Sequence, residues 1–393
     1  MKKILITYVS YGSGHKTIAQ YIANHLQNKD YEIKLVDLVD YMGNFTLKTV
    51  DIFDYIYNHR LEKVFSFLYR ISDNGFVNQN YKIYTKKCLY NNMTKKLFSD
   101  FNPDIVLSTH WYGSNIAAYM KKKKMINPKI VTVVTDYKVH KMWMTSYDKE
   151  EHFVVANNIV KDAMQKRGCY SCNIYAYGLP VDFKKVAEVM PKSEIYKKYG
   201  LTSHNPKILF FGGGSNGSMS YLKYLKKLLI LNKNYEVLFV CGNNKELYDC
   251  TKKLEKTYPH LKTFGFITNV YELMDISEIV ISKSGGATVT ECLEMQKYMV
   301  LLPGIGGQEN YNAKFVAKNH YGVRIKGLLS FKWFMKKYFI DPHKYLDNYN
   351  DNKINNESLK LISALIKKLW YNRPCLEERW LKNLKNLLLV VML

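Results

Sequence analysis

Residues 279–312 read IVISKSGGATVTECLEMQKYMVLLPGIGGQENYN, and this stretch decides the fold class. Two apolar runs, Ile279–Ile281 and Met299–Leu302, each stop at a polar loop that contains glycine, and each loop opens a segment with helical character. A strand, a loop and a helix in repetition form the unit of a parallel α/β sheet. Because ligands of such sheets bind where the strands end at their carboxyl edge, we expect both loops to line one crevice.

The first of the two loops has the composition of an anion site. Gly285 and Gly286 let the backbone approach a ligand closely. The unpaired N–H groups that open the helix at Ala287–Thr288 favour a phosphate. Lys283 adds a positive charge, and Glu291, one helical turn along, can accept hydrogen bonds from a ribose diol.

The second loop ends in Gln308 and Glu309, whose side chains offer donors and acceptors suited to sugar hydroxyls. Each loop also has a purely structural interpretation, with Gly285-Gly286 as a tight turn and Gln308-Glu309 as a helix start. The occurrence of both loops in register favours the ligand site over two unrelated turns.

The motifs S-K-S-G-G-A-T-V-T-E-C-L and L-P-G-I-G-G-Q-E-N-Y-N resemble the nucleotide-sugar site of a glycosyltransferase family. That family contains the monogalactosyldiacylglycerol synthases, the bacterial processive diacylglycerol glucosyltransferases and the MurG enzyme of peptidoglycan synthesis. The resemblance implies the GT-B fold, an α/β architecture in which two Rossmann-like domains face each other across a cleft. Together with the loop chemistry, it predicts a UDP-sugar site made of Gly213, Gly214, Phe266, Lys283, Ser284, Gly285, Gly286, Thr288, Glu291, Gln308, Glu309 and Asn312.

Two further loops of the second half belong to this predicted site. Lys207–Phe211 reads as a strand that ends in the glycine loop 212–217, and backbone donors before a helix suit a diphosphate. Leu261–Phe264 reads as another strand. In the family, the loop after that strand holds the nucleobase through backbone groups of the residue that matches Phe266.

A third glycine loop lies near the start of the chain, after the predicted strand Lys3–Val9. It fits neither the dinucleotide-binding fingerprint nor a P-loop. It does resemble the G-x-G-H loop of the family's acceptor domain, which makes Gly14 an acceptor contact and His15 a candidate general base. The ordinary pKa of histidine suits proton abstraction near neutral pH. The alternative is that His15 is only a polar residue near a helix start.

The predicted strand Lys129–Thr135 is followed by a T-D…H…W segment similar to one that lines the acceptor side of the family's cleft. On this resemblance His140 and Trp143 bind the acceptor, while Asp136 orients His15, stabilises its charge or acts as the base itself. Asp136 could equally cap the following turn, so that role stays open. Lys141 departs from the family, because diacylglycerol-type members usually carry proline there.

Residues 41–98 show no strand pattern and interleave aromatic side chains with lysine and arginine. Basic amphipathic helices with aromatic faces bind anionic membrane interfaces. The lipid-glycosylating branch of the family carries a comparable insertion for membrane and acceptor. A helix pair packed on the sheet, with a solvated charged face, is the alternative, and the two interpretations are compatible.

The composition of the chain restricts the kind of partner and the cellular compartment that we expect. A net charge of +24 predicts an anionic partner, either nucleic acid or an anionic membrane, although codon bias accounts for part of the lysine content. Seven widely spaced cysteines indicate a reducing compartment, and the lone Cys169–Cys172 pair lacks the second pair of a zinc ribbon. No apolar stretch reaches the about 18 residues of a spanning helix, so we expect membrane contact to be peripheral.

The predicted domain organisation has three parts. Residues 1–178 form the acceptor and membrane-binding domain, and residues 179–370 form the UDP-sugar domain, joined by a hinge at Tyr177–Val181 that looks like the family's Gly-x-Pro-Val boundary. Residues 371–393 form a C-terminal helix that packs back toward the first domain, as GT-B chains usually do.

The resemblance implies an inverting glycosyltransferase that moves a hexose from a UDP-sugar to diacylglycerol at the cytoplasmic face of the membrane. Because the chain contains no Asp-x-Asp, we expect no metal and no other cofactor. Glucose and galactose stay open as the donor sugar. One alternative is N-acetylglucosamine transfer to a polyprenyl-linked wall precursor. Another is a basic nucleotide- or nucleic-acid-binding protein without transfer activity, although the scattered cations give no recognition module and we expect no nucleic acid partner.

Overall fold

The computed structural model describes residues 1–10, 13–27, 31–43, 67, 69–73, 89–144, 150–213, 217–304, 306–347, 349 and 357–370. Three predictions lie wholly or mostly outside these residues. They concern Gly214, the helical segment at 41–98, and the tail at 371–393.

The first half of the chain forms a parallel sheet with the strand order β2-β1-β3-β4-β5-β6. Its strands are β1 (Lys2–Tyr8), β2 (Tyr31–Asp37), β3 (Ile105–Ser108), β4 (Lys129–Val133), β5 (Glu151–Val154) and β6 (Ile174–Tyr175). The helices α1 (Ser13–Leu26), α2 (Asn92–Phe101), α3 (Trp111–Lys122) and α4 (Asn158–Gln165) belong to this half. Consecutive residues Ile4, Leu5 and Ile6 are all fully buried, as expected of a strand covered on both faces.

The second half forms another parallel sheet with the order β12-β11-β10-β7-β8-β9. Its strands are β7 (Lys207–Phe211), β8 (Glu236–Val240), β9 (Leu261–Phe264), β10 (Ile279–Ser282), β11 (Tyr298–Leu301) and β12 (Gly322–Arg324). Its helices are α5 (Phe183–Ala187), α6 (Lys192–Tyr199), α7 (Leu222–Leu231), α8 (Lys245–Glu255), α9 (Val270–Asp275), α10 (Gly286–Glu294), α11 (Gln308–Lys318), α12 (Leu328–Ile340) and α13 (His343–Leu346). The two predicted strand–loop–helix units at 279–312 are therefore β10–α10 and β11–α11.

The last described helix, α14 (Ser358–Trp370), lies on the first domain. The Ser358 hydroxyl donates to the Gly178 carbonyl oxygen at 2.9 Å, and the Trp370 ring lies 4.5 Å from the ring of Tyr31 in β2. The sequence prediction assigned residues 358–370 to the second domain and the return to 371–393. In the structure the return is already made by α14, because its apolar face is buried against α1.

One of the hydrophobic clusters of the described residues spans both domains. Ile18 and Ile22 of α1 belong to the same buried cluster as Val289 and Cys292 of α10. The carboxyl edges of the two sheets, where α1 and α10 begin, therefore face each other in direct contact. Among the described helices, none is long and apolar enough to cross a membrane.

Candidate active site

His15 lies in the first turn of α1, at the carboxyl edge of the first sheet. Its Nδ1 lies 2.7 Å from the carbonyl oxygen of Thr109 and 3.1 Å from the hydroxyl of Thr135. A carbonyl oxygen can only accept, so Nδ1 carries the proton and donates it to Thr109. This assigns the lone pair to Nε2, the nitrogen that a base would use.

The environment keeps the His15 ring neutral. Burial lowers the pKa of His15 to about 4, although the hydrogen bond to Thr109 acts in the opposite direction. The ring of His110 packs edge-on at 4.9 Å, and the ring of Trp143 lies at 6.3 Å. The His15 imidazole is therefore uncharged at neutral pH, held in one tautomer and packed against the rings of His110 and Trp143.

Asp136 follows β4 and lies beside this group of rings. Burial raises the pKa of Asp136 to about 7, and hydrogen bonds from the Trp143 and Asn312 side chains offset part of that shift. No described hydrogen bond joins Asp136 to His15. The group that orients His15 is thus the Thr109 carbonyl, which differs from the predicted orienting role of Asp136.

His140 was predicted to contact the acceptor, and the structure places it elsewhere. Only 3% of the residue is exposed, and its Nε2 lies 3.0 Å from the Tyr69 carbonyl oxygen and 3.2 Å from the Ser72 hydroxyl. Its Nδ1 accepts from the Met142 N–H at 3.1 Å. Both ring nitrogens are occupied by protein groups, so His140 anchors residues 69–73 to the loop after β4.

On the second domain, across the cleft from His15, Lys283 and Glu309 are paired with each other. The Lys283 ammonium lies 3.0 Å from a carboxylate oxygen of Glu309, whose side chain is almost fully buried. The Ser284 hydroxyl donates to the Glu309 carbonyl oxygen at 2.6 Å. These three residues, predicted as ligand contacts, tie the loop after β10 to the first turn of α11. Gln308 is partly exposed beside them.

Glu291 was predicted to hold a ribose, and here its carboxylate faces aromatic hydroxyls. Tyr21 of α1 donates to it at 3.3 Å, and Tyr271 also forms a hydrogen bond with it. Burial raises the pKa of Glu291 to about 7. A ribose would have to displace or share the Tyr21 hydroxyl, so the predicted role requires a local rearrangement between α1 and α10.

Asn312 bridges the two domains. It is fully buried, its Oδ1 accepts from the Tyr137 N–H at 3.0 Å, and its Nδ2 donates to the Ser284 carbonyl oxygen at 3.0 Å. The Tyr137 hydroxyl adds a second contact with Thr290 of α10 at 2.9 Å. Asn312 was predicted to position the sugar. In the structure its amide instead joins the loop after β4 to the loop after β10.

The two glycines that open α10 have different surroundings. A Cβ on Gly286 would lie 2.1 Å from the Thr135 carbonyl oxygen, so only glycine permits this contact between the domains. A Cβ on Gly285 would meet nothing within 4 Å, and Gly285 caps α10 without a side-chain hydrogen bond. Space is therefore open beside Gly285 at the start of α10, and the side chain of Thr288 is partly exposed one turn on.

The remaining predicted contacts lie on neighbouring strand ends or at the start of α1. Gly213 follows β7 with φ at +117°, a conformation that side chains rarely adopt. Phe266, after β9, exposes 58% of its surface. A Cβ on Gly14 would lie 3.6 Å from the Ala287 side chain, so the starts of α1 and α10 are in contact.

Taken together, a neutral imidazole on α1 lies next to the uncapped start of α10. Helix starts favour anions through their free N–H groups and the helix dipole, so this junction suits a base acting beside an anionic leaving group. Among the described residues, no group of three or more His, Cys, Asp or Glu side chains could hold a metal ion.

Sequence reasoning missed several partners at this junction. Thr109 and His110 follow β3 directly, and Thr135 follows β4. Since β1, β3 and β4 are adjacent in the sheet, the carboxyl-edge rule already brings these residues next to His15. Tyr21 gave no comparable signal, because its contact with Glu291 depends on how the domains pack.

Comparisons with known proteins cover both halves of the chain. The family model described as monogalactosyldiacylglycerol (MGDG) synthase matches residues 15–181, and the model of the glycosyltransferase family 28 C-terminal domain matches residues 208–327. The first span begins at His15 and includes the loop after β4. The second begins in β7 and includes the loops after β9, β10 and β11.

Similar sequences and folds agree with these matches. The processive diacylglycerol beta-glucosyltransferase of Bacillus pumilus is 30% identical over 326 residues, or 82% of each chain. Its counterpart from Staphylococcus epidermidis is 27% identical over 92% of this chain and 88% of its own length. Among solved structures, the Acinetobacter baumannii MurG covers 94% of this chain with a TM-score of 0.59 and 11% identity. The S. aureus MnaA–UDP co-structure covers 95% of this chain with a TM-score of 0.63 and 12% identity. These two structures confirm the predicted GT-B fold.

Proposed function

This chain belongs to the family of the processive diacylglycerol beta-glucosyltransferases, and on that premise we propose that it transfers a hexose from a UDP-sugar to diacylglycerol. The observation that carries the proposal is the tautomer of His15. Its Nδ1–H is held by Thr109, and its Nε2 is left to accept a proton beside the uncapped start of α10.

In the proposed reaction, the diphosphate lies over the start of α10 and the glycine loop after β7. The acceptor hydroxyl gives its proton to Nε2 of His15, and its oxygen attacks the anomeric carbon from the face opposite UDP. The bond between the anomeric carbon and the diphosphate oxygen breaks, and UDP leaves with the electron pair. Inversion then gives a β-glycoside.

Stabilisation of the leaving UDP is assigned to backbone N–H groups and the dipole of α10 rather than to a bridging metal. Such preorganised donors act where charge develops in the transition state. Gly285 leaves the space beside these groups open. Lys283 contributes positive charge, which Glu309 partly neutralises in the structure.

Glucose is the favoured donor sugar, because the relatives described above are named beta-glucosyltransferases. We place the enzyme as a peripheral protein on the cytoplasmic face of an anionic membrane. The net charge of +24 supports that location through attraction to anionic lipid. Neither the wall-precursor transferase nor the nucleic-acid-binding protein is favoured by the same comparisons.

The test supplies the protein with liposomes that contain diacylglycerol and an anionic phospholipid. UDP-glucose and UDP-galactose are added separately without metal, and the lipids are read by mass. We expect a hexose-shifted diacylglycerol, with UDP-glucose the better donor. UDP release without a glycolipid would contradict the acceptor assignment, and the absence of both UDP release and UDP binding would overturn the transferase.

A further inference from the structure

A second histidine, His110, lies beside the candidate base at the carboxyl edge of the first sheet. Its ring packs edge-on against the ring of His15, with 4.9 Å between the ring centres. The Trp143 ring lies 6.3 Å from His15 and 6.2 Å from His110, so the indole is a neighbour that both imidazoles share. Both histidines retain part of their accessible surface. The two imidazoles are therefore close enough to contact one small molecule at the same time.

The helix that His110 caps fixes the position of its ring proton. His110 is the N-cap of α3, and its Nδ1 accepts from the Tyr112 N–H at 3.3 Å. A ring nitrogen that accepts a hydrogen bond carries no proton, so the proton of the neutral ring is on Nε2. Burial lowers the pKa of His110 well below its ordinary value, and the neighbouring His15 acts in the same direction. The ring is therefore neutral near pH 7, with a donor at Nε2.

The two neighbouring rings are thus held in opposite tautomers. His15 has its proton on Nδ1, where Thr109 accepts it, and a lone pair on Nε2. His110 has a lone pair on Nδ1, which the start of α3 uses, and a proton on Nε2. None of the described hydrogen bonds involves Nε2 of either ring. The pair therefore offers one acceptor and one donor to a ligand, and His110 cannot act as a second base while it caps α3.

Capping alone does not account for a histidine at this position. Serine, threonine, asparagine and aspartate are the preferred N-cap residues, and each could accept the bond from the backbone of α3. Elsewhere in this domain, Asn91 and Asn157 cap α2 and α4 through their side-chain oxygens. Relative to these residues, histidine adds an N–H donor on the far side of a rigid ring.

We propose that the Nε2–H of His110 donates a hydrogen bond to an oxygen of the acceptor and thereby holds the reacting hydroxyl against Nε2 of His15. In diacylglycerol, the carbon next to the one that bears the hydroxyl carries an ester oxygen, which can accept this bond. His110 exchanges no proton, because the hydroxyl proton goes to His15. The inference rests on the proposed transfer to diacylglycerol, and it adds a residue that selects an acceptor with two neighbouring oxygens.

Two substitutions separate the donor from the cap. In His110→Asn the side-chain oxygen can replace Nδ1 as the cap, but the amide is too short to reach the position of Nε2. In His110→Gln the amide reaches the position of Nε2, but glutamine is not a preferred cap. Asn157→Ala removes the side-chain cap of α4 in the same domain, so it calibrates the effect of a lost cap alone.

Three quantities are measured for each variant: glucose transfer from UDP-glucose to diacylglycerol in liposomes, the melting temperature and the dissociation constant of UDP. We expect His110→Asn to lower kcat/KM for diacylglycerol about tenfold, with a melting temperature within about 2 °C and a UDP dissociation constant within about twofold of the wild type. His110→Gln should recover part of the lost kcat/KM although its melting temperature falls by about 2–4 °C. Asn157→Ala should show a similar fall in melting temperature with kcat/KM close to the wild type.

Several outcomes would overturn the inference. These are wild-type transfer by His110→Asn, equal losses in His110→Asn and His110→Gln, transfer that simply follows the melting temperature, or weaker UDP binding in His110→Asn. A wild-type protein that transfers no hexose would instead overturn the proposed function, and the same assay shows this separately. If His110→Asn does not fold, His110→Ser, which also keeps a preferred cap, repeats the comparison.

Discussion

The two sides of the cleft present their chemistry in different ways. On the first domain, backbone and hydroxyl groups hold one nitrogen of His15, and the other nitrogen is left to act. On the second domain, Lys283, Ser284 and Glu309 are tied to one another, and open space lies beside the backbone at Gly285. The first domain offers a side-chain nitrogen and the second offers main-chain groups. We therefore expect substitutions to affect the two sides differently.

The largest effect is expected from His15→Ala. Removal of a general base typically lowers the rate by about 10²–10⁴-fold. Hexose transfer should fall by that factor, while the dissociation constant of UDP, measured by calorimetry, should stay within about twofold. His204→Ala, at an exposed histidine, is the matched control. Transfer that survives His15→Ala would move the base elsewhere.

Gly286→Ala and Gly285→Ala form the next comparison. The Cβ at 286 would meet the Thr135 carbonyl oxygen at 2.1 Å, so we expect a loss of about 1–3 kcal/mol in the free energy of unfolding. At 285 the space is open and φ is −64°, so stability should change by about 0.5 kcal/mol or less, while UDP binding should weaken. Urea denaturation and UDP titration measure the two effects. Equal stability in the two variants would show that the domains are not in contact at Gly286.

Asn312→Ala tests the bridge between the sides. It leaves the Tyr137 N–H and the Ser284 carbonyl without their partner, and an unsatisfied buried group costs about 1–3 kcal/mol. Asn319→Ala is the control, at a partly buried asparagine whose Nδ2 donates to the Phe315 carbonyl oxygen of its own helix. We expect a clear loss of stability for Asn312→Ala alone. A pure loss of sugar binding at unchanged stability would instead support the predicted sugar contact.

The smallest effect is expected in the pH dependence of kcat/KM. The pKa of Asp136 is raised to about 7, whereas that of His15 is lowered to about 4, so His15 is already neutral where Asp136 titrates. If the Asp136 charge assists the reaction, kcat/KM rises with pH through about 7. We expect kcat/KM to rise with pH in this way in the wild type but not in Asp136→Asn. A wild-type profile that is flat between about pH 5 and about pH 9, roughly two units on either side of the expected midpoint, would exclude a role for that charge.

Much of the fold follows from local sequence pattern, and less of the site does. The predicted strands around 279–302 appear as β10 and β11, because short apolar runs bounded by glycine loops have few alternatives. The orientation of His15 depends on Thr109, 94 positions away, and its neutral state depends on burial that arises only in the folded chain. The pairing of Asn312 with Tyr137 spans 175 positions. The spacing of residues in the sequence does not predict such contacts, because they form only when the chain folds and the two domains pack.

The same limit explains the ribose prediction for Glu291. The sequence places an acidic side chain one turn into a helix after a glycine loop, which is a chemically sound ribose contact. It cannot reveal that Tyr21, 270 positions away, donates to that carboxylate at 3.3 Å. A carboxylate shared between domains has two possible partners, and only the packing of α1 against α10 selects one.

The hydrogen bond between Ser358 and Gly178 has a consequence for how we expect the two domains to move. The chain leaves the first domain near Gly178 and returns to it at the start of α14, so it passes between the domains twice. The two passages are joined by a hydrogen bond of 2.9 Å. We expect any opening of the cleft to be a rotation about that point rather than a sliding of one domain over the other. Groups far from this pivot would then separate most, and those beside it would keep their neighbours.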